Sequence, residues 1–348
     1  MTKIRCAVVG LGMGSGHVAN FQKHPDAVVV AVADPDKARL EERGKKQYGI
    51  EKLYTSAEEM FKKEKLDIVA IATPNKFHKD LAIKALQAGI NVLCEKPMAI
   101  NAKEAREMKK VADKVGKRLM INFSYRFTEQ SHAIKQEVDS GILGDIYFAR
   151  TQWLRRRGMP GFGGWFGQKE LSGGGPLIDL GVHRLDLALW LMGYPEPEWV
   201  MGSTYNHIGA SAAAREKKKF DVEDLAVAMI KFKNGATLEL EASWAGNVKE
   251  REFMSTQLLG TKGGLRQYNI NEGYEFEAEF YLEQNGVQYD MKVHPPVPAA
   301  KSSIHHFIDC IISGKPHIAT AEEGIIVMEI LDAIYESAKK GAPLKIKS

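Results

Sequence analysis

The 348-residue sequence predicts an α/β chain in two parts. A doubly wound parallel sheet is expected over residues 1–122, and an α+β domain built on an open, mainly antiparallel sheet over residues 123–348. Three observations lead there. Apolar strand-like runs in the first third are separated by stretches of about 10–15 residues with helical spacing. A glycine-rich turn follows the first of those runs. After Asn122 this alternation stops, and later runs follow one another with hairpin turn chemistry between them.

Ile4-Arg5-Cys6-Ala7-Val8-Val9 leads directly into Gly10-Leu11-Gly12-Met13-Gly14-Ser15. Gly10 permits a tight turn, and Gly12 lets backbone N–H groups approach a pyrophosphate at a helix N-terminus. The third fingerprint position falls on Ser15, where a small residue is expected to allow close helix–strand packing. The run Val28–Ala33 then ends in Asp34, about 20 residues past the glycines. A carboxylate there accepts hydrogen bonds from a ribose diol and repels a 2′-phosphate, so NAD is expected over NADP. Asp36 adds negative charge nearby, while Lys37 and Arg39 work against the preference. The competing role for Asp34 is to cap a helix starting near Pro35. Further strands are expected at 65–72, 91–94 and 119–122, with helices at 77–88 and 101–115, which completes a Rossmann-type domain.

The strand at 91–94 runs into Glu95-Lys96-Pro97. Ligands in open α/β sheets bind at the carboxyl ends of strands, so the lysine amine is expected beside the cofactor. The second half opens with a helix near 128–140 and a strand from Ile146 to about Trp153. Strands at 225–232, 237–242 and 274–281 follow, with Asn234-Gly235 and Asn285-Gly286 as hairpin turns. Helices near 302–313 and 321–339 close the chain.

Chemistry in this half concentrates at residues 173–186. Asp179, His183 and Asp186 are spaced i, i+4, i+7 and share a face if the stretch is helical. A histidine beside carboxylates serves as a general base near neutral pH. A lone histidine on an apolar helix is more often a satisfied core residue. Here the preceding Gly173-Gly174-Gly175 favours function, because glycines allow close approach of backbone to ligand.

Composition excludes several classes. The chain is 44% hydrophobic and 26% charged, with a net charge of +4 and no basic stripe interleaved with aromatics, so no nucleic-acid partner is expected. Cys6, Cys94 and Cys310 are scattered in apolar contexts and read as reduced and buried. No signal-like segment precedes the first strand and no uncharged run approaches ~18 residues, so no membrane association and a cytoplasmic location are expected. His305-His306 does not make a chelate on a helix, and no metal is expected.

The residues quoted resemble the glucose–fructose oxidoreductase / inositol dehydrogenase / MocA family of dinucleotide-dependent dehydrogenases. The resemblance rests on the glycine turn, Thr73-Pro74-Asn75 with His78, Glu95-Lys96-Pro97, Tyr125-Arg126-Phe127, and the glycine triplet leading to Asp179 and His183. It implies a catalytic set of Lys96, Asp179 and His183. The cofactor side would comprise Gly10, Gly12, Met13, Gly14, Asp34, Thr73, Pro74, Asn75, His78, Glu95 and Lys96. Substrate would meet Tyr125, Arg126, Trp153, Arg155 and Trp165 with Lys96, Asp179 and His183. A cis bond before Pro97, last helices that return to the first domain, and a homodimer or homotetramer are also implied. The segment 153–167 is similar to levoglucosan dehydrogenases and glycoside 3-dehydrogenases, with aromatic faces for a sugar's C–H surface and Arg155-Arg156-Arg157 as donors to hydroxyls or an acidic group; the competing role for this loop is packing against another subunit.

The expected reaction is hydride transfer between a secondary alcohol of a sugar, glycoside or cyclitol and the nicotinamide. His183 would take the hydroxyl proton, Asp179 would orient it, and Lys96 would hydrogen-bond the developing alkoxide, with its pKa lowered by burial and the positive ring. One alternative is an enzyme that retains NAD and cleaves or isomerises glycosides through an internal redox cycle. The other is a non-catalytic NAD(H)-binding regulator, which would have no need of Lys96, Asp179 and His183 together.

Overall fold

The first apolar runs form strands β1 (Ile4–Val9), β2 (Ala27–Ala33), β3 (Leu53–Tyr54), β4 (Ile68–Ile71), β5 (Asn91–Cys94) and β6 (Leu119–Ile121) in a computed structural model that describes residues 3–294 and 301–346. All pair in parallel, in the order β3-β2-β1-β4-β5-β6. β4 is buried at every residue, as a strand covered by helices on both faces must be. The order reverses between β1 and β4, so the carboxyl ends of these two strands flank the switch point where ligands bind.

The connecting helices start and stop by local chemistry. Ser56 caps Ala57–Lys63 through the Glu59 N–H, and Asn101 caps Ala102–Val115 through the Glu104 N–H. Gly116, at φ +65°, ends the latter in the left-handed conformation. The chain divides into two compact units, and the first of them comprises Met1–Phe123 together with Lys301–Met328. Within it the Ile121 N–H donates to Ala319 O at 2.9 Å, so the returning segment pairs beside β6. Arg118 caps the carboxyl end of helix Ser303–Ser313 through Cys310 O and Gly314 O.

The second unit, Ser124–Ala300 with Glu329–Ser348, holds nine strands. They are β7 (Ile146–Arg155), β8 (Pro197–Tyr205), β9 (Leu225–Phe232), β10 (Thr237–Ser243), β11 (Glu252–Gly260), β12 (Gly263–Ile270), β13 (Glu275–Gln284), β14 (Val287–Lys292) and β15 (Leu344–Lys345). Their order is β14-β13-β12-β11-β7-β10-β9-β8-β15, antiparallel throughout except for the parallel pair β7–β10. Helix Val182–Leu191 packs against β7, where the Thr151 hydroxyl donates to Arg184 O. The opposite face carries cross-strand polar pairs such as Arg150–Glu239 and Gln152–Glu241. Asn285 and Gly286 both take positive φ, as the expected two-residue hairpin requires. β3, β8, β11, β12, β15 and helix Ile208–Arg215 were not named from the sequence.

Candidate active site

In the first unit the site begins where β1 ends. Gly10 has φ +86°, and a Cβ there would lie 2.5 Å from Ala72 O on the neighbouring strand's exit. At Gly14 a Cβ would lie 2.1 Å from Gly10 O and 2.9 Å from Val8 Cγ1. Gly14 therefore performs the close helix–strand packing that the sequence had placed on Ser15, whose hydroxyl instead donates to Gly12 O. A Cβ at Gly12 would meet nothing within 4 Å, so this stretch of backbone faces open space ahead of helix Ser15–Lys23. Met13 beside it is 79% exposed.

Asp34 closes β2 as a nearly buried carboxylate. Its Oδ2 accepts from the Leu11 N–H at 2.8 Å and its Oδ1 from the Asp36 N–H at 2.9 Å. It caps no helix. Asp36 does that, accepting from the Ala38 and Arg39 N–H groups. Two arginines gather here: Arg39, set against the NAD preference by the sequence, pairs with Asp34, and Arg43, which carried no motif signal, donates to Leu11 O and Gly12 O at 2.8 and 2.7 Å.

Across the switch point, the Thr73 hydroxyl is buried and has no hydrogen-bond partner, and Pro74 and the buried Asn75 follow on the same loop. His78 does not line a cofactor surface. Its ring is fully buried and spans two loops, with Nδ1 2.9 Å from Pro97 O and Nε2 2.9 Å from Thr73 O. Burial lowers its pKa more than the two carbonyls raise it. It positions the Thr73 and Pro97 loops.

Glu95 is likewise engaged. Its Oε1 accepts from His17 Nε2 and Asn122 Nδ2, both at 2.7 Å, and its Oε2 from the Lys96 N–H at 3.1 Å. Burial alone would raise its pKa, but the His17 hydrogen bond and charge, Asn122 and Lys96 together bring it down to about 2. This carboxylate ties together the helix after the glycine turn and the ends of β5 and β6. Lys96 is half-buried beside it, and the Lys96–Pro97 bond is cis. The residues fit a dinucleotide: two glycines that a Cβ would block, open backbone at Gly12, an acid at the end of β2, and an orphaned buried hydroxyl at Thr73.

In the second unit, residues 174–191 are buried with two exceptions, Asp179 and His183. The stretch begins with Leu177–Gly181 in wide, π-type turns and continues as the α-helix Val182–Leu191. Trp244 Nε1 donates to Asp179 Oδ2 at 3.0 Å. His183 meets the Tyr125 ring edge-on at 5.0 Å and the Trp153 ring at 5.8 Å. Arg184, the next residue, is fully buried with its guanidinium over the Tyr125 and Phe276 rings, and burial lowers its pKa to about 10. It stays cationic at neutral pH.

The glycine triplet has a different task from the one expected. A Cβ at Gly174 would lie 1.9 Å from the Tyr335 hydroxyl, and one at Gly175 2.1 Å from Glu223 O. Glu223 then accepts from the Gly175 and Leu177 N–H groups and from Tyr335 Oη. The glycines let this buried carboxylate, absent from the sequence reading, lock the turn that presents Asp179.

Two further expectations are corrected. Asp186 is engaged away from the exposed face: it is buried and accepts from Arg126 Nε at 2.9 Å, Arg126 Nη2 at 2.5 Å and Tyr194 Oη at 2.7 Å. Arg126 is consequently no substrate contact, being wholly buried in that pair. Arg155 and Trp153 instead converge on a residue the sequence did not single out. Glu252 Oε1 accepts from Trp153 Nε1 at 2.7 Å, Arg155 Nε at 2.8 Å and Tyr274 Oη at 3.1 Å. Trp165 stacks on Phe166 at 3.8 Å, and Phe166 meets Trp244 edge-on. His305 and His306 take separate partners, Asn20 O and the Ile318 N–H. A depression lined by Lys3, Arg5, Glu64 and Asp67 lies at the amino ends of β1 and β4, away from the glycine turn.

Residues 4–123 match the oxidoreductase family with an NAD-binding Rossmann fold, and residues 135–346 match the C-terminal alpha/beta domain of the same family. The chain is 33% identical to D-glucoside 3-dehydrogenase of Escherichia coli (strain K12), over 99% of this chain and 97% of that one. It is 28% identical to levoglucosan dehydrogenase of Pseudarthrobacter phenanthrenivorans, over 91% and 88%. A solved levoglucosan dehydrogenase in complex with NADH and levoglucosan aligns over 100% of both chains with a TM-score of 0.87 and 25% identity. With both of its domains matched and the dinucleotide cradle intact, the chain belongs to the Gfo/Idh/MocA oxidoreductase family and is an NAD-dependent dehydrogenase acting on CH–OH groups.

Proposed function

We propose that this enzyme oxidises a ring secondary alcohol of a pyranose sugar or glycoside, and reduces the corresponding keto-sugar. The observation that carries the reading is the pattern of residues 174–191, in which only Asp179 and His183 keep exposure. A segment packed at every other position, and locked at its turn by Glu223, is built to present those two groups. When bound, NAD supplies the acceptor for the hydride. His183 takes the hydroxyl proton, and Asp179, itself held by Trp244, supports the imidazolium. Lys96 donates from Nζ to the same oxygen as negative charge develops on it. Tyr125 and the Trp165–Phe166 stack offer flat apolar faces to the C–H side of a pyranose, whereas Trp153, expected to do the same, is buried in the core cluster with Leu180 and Trp244 and backs the Tyr125 ring.

Relatives named for glucosides and for levoglucosan support the substrate class. Exposed Met201 and Met229, paired across β8 and β9, support self-association through the outward face of the sheet as a homodimer or homotetramer. Among the described residues no helix is long and apolar enough to cross a membrane. Three buried, unbridged cysteines fit a reducing, cytoplasmic setting.

The test is NADH absorbance when enzyme and NAD meet glucosides, anhydrosugars, free hexoses and cyclitols, with aglycone release followed in parallel. NADH growth with pyranosides is expected. Growth with cyclitols alone would overturn the substrate class, and aglycone release without NADH would overturn the simple dehydrogenase.

A further inference from the structure

The rule that an acid at the end of β2 selects NAD assumes that its oxygens are available to the ribose diol. Those of Asp34 are already filled. Oδ2 accepts from the Leu11 N–H at 2.8 Å and Arg39 Nη1 at 3.0 Å, and Oδ1 from the Asp36 N–H at 2.9 Å and Arg39 Nη1 at 3.1 Å. An ionised carboxylate has about four lone-pair sites, so none is left. The Asp34 side chain is 1% exposed, whereas that of Arg39 is 40% exposed.

The donors differ in mobility. Leu11 and Asp36 donate from backbone fixed by the glycine turn and by a helix cap. Arg39 is a long side chain near the start of a helix, and it alone can leave. A ribose hydroxyl therefore reaches Asp34 only by displacing the guanidinium. The charge that would repel a 2′-phosphate is meanwhile neutralised by the same group. Asp36, the second acid here, also faces Arg39 at 3.4 Å. Arg43, anchored on Leu11 O and Gly12 O, adds a second guanidinium to the rim of the glycine turn.

We propose that Arg39 sets the adenosine-ribose specificity of this enzyme, covering the Asp34 carboxylate that favours NAD and serving as a ligand for the 2′-phosphate of NADP, so that both cofactors bind. The planar fork of arginine suits either role: its Nη1 bridges the two Asp34 oxygens while its Nη2 faces Asp36, and the same pair of donors can bind a phosphate.

The test is direct titration of the full-length protein with NADH and with NADPH, read by the fluorescence of the bound reduced nicotinamide, for the wild type, R39A and R39K. Wild-type protein is expected to bind NADPH within about tenfold of NADH. In R39A, NADPH binding weakens about 10–100-fold through loss of a charge-assisted pair. NADH binding holds or tightens, because the diol no longer competes with a guanidinium. R39K keeps the charge without the fork and falls between the two. Parallel weakening of both cofactors in R39A and R39K would show a structural role and overturn the proposal. An unchanged NADPH-to-NADH ratio would do the same. Wild-type protein that binds neither would overturn the dinucleotide site itself.

Discussion

In the proposed mechanism His183 and Lys96 carry distinct halves of one proton problem, and their variants should fail in the same way. His183→Asn keeps a polar side chain of similar size but removes the base, and Lys96→Ala removes the donor to the substrate oxygen. Each is expected to lower turnover by about 10²–10⁴-fold. NADH binding, measured by fluorescence titration, should change by less than about twofold. Near-normal turnover in either would remove that residue from the mechanism. Arg126 makes the opposite case. Its guanidinium is buried against Asp186 and Tyr194, so truncating it leaves a carboxylate buried without its counter-charge. Arg126→Met should cost about 3–5 kcal/mol in denaturant unfolding. The fraction that folds should bind substrate with an unchanged KM, which a direct substrate contact would not allow.

At the scale of elements, the decisive one is the turn from Gly173 through Gly181. Its wide turns hold Asp179, and the helix it starts holds His183, out of an otherwise buried segment, and Glu223 and Tyr335 hold the turn. Gly174→Ala places a methyl 1.9 Å from the Tyr335 hydroxyl position. A loss of roughly 1–3 kcal/mol is expected, typical of overpacking. Tyr335→Phe should relieve part of it, so a double-mutant cycle by thermal melting should show coupling between the two. Additive losses would mean that Tyr335 does not oppose this glycine. Neither Glu223 nor Tyr335 was legible in the sequence, because each lies far along the chain from the motif it supports. The glycines were legible but their reason was not, since a close approach to protein and one to ligand leave the same trace. β1, β2, β4 and β5 could be read as buried parallel strands because both faces are apolar. β11 and β12 alternate buried apolar with polar residues such as Thr256, Gln257, Arg266 and Gln267, which blurs the signal. In the same way, Lys96, Asp179 and His183 stand in motifs, whereas Arg43 and His17 in the first unit and Trp244 and Glu252 in the second stand in none.

At the scale of the whole molecule, the two units should respond to acid with opposite sign. Glu95, in the first unit, has its folded pKa lowered from 4.5 to about 2. A depressed carboxylate contributes stability above its unfolded value and loses it as pH falls through the folded one. The first unit therefore loses about 3 kcal/mol between pH 4.5 and about 2 from this group. Glu223, in the second unit, is raised instead, because burial outweighs the donors at Gly175, Tyr335 and Leu177. For a raised carboxylate the folded state takes up the proton first. The second unit accordingly gains stability as pH falls from the folded value of Glu223 toward 4.5, a window in which Glu95 contributes nothing. Of these two carboxylates, acidification from neutral pH first brings out the gain at Glu223 and then the loss at Glu95, while the buried His78, its pKa lowered, already draws stability from the first unit as pH falls below 6.5. Calorimetric melting across pH 7 to 3 should show the two transitions moving apart. Glu95→Gln should flatten the acid-side fall of the first, and Glu223→Gln the rise of the second. A single transition drifting downward in all three proteins would mean that the units melt together and that neither carboxylate governs its own unit's stability.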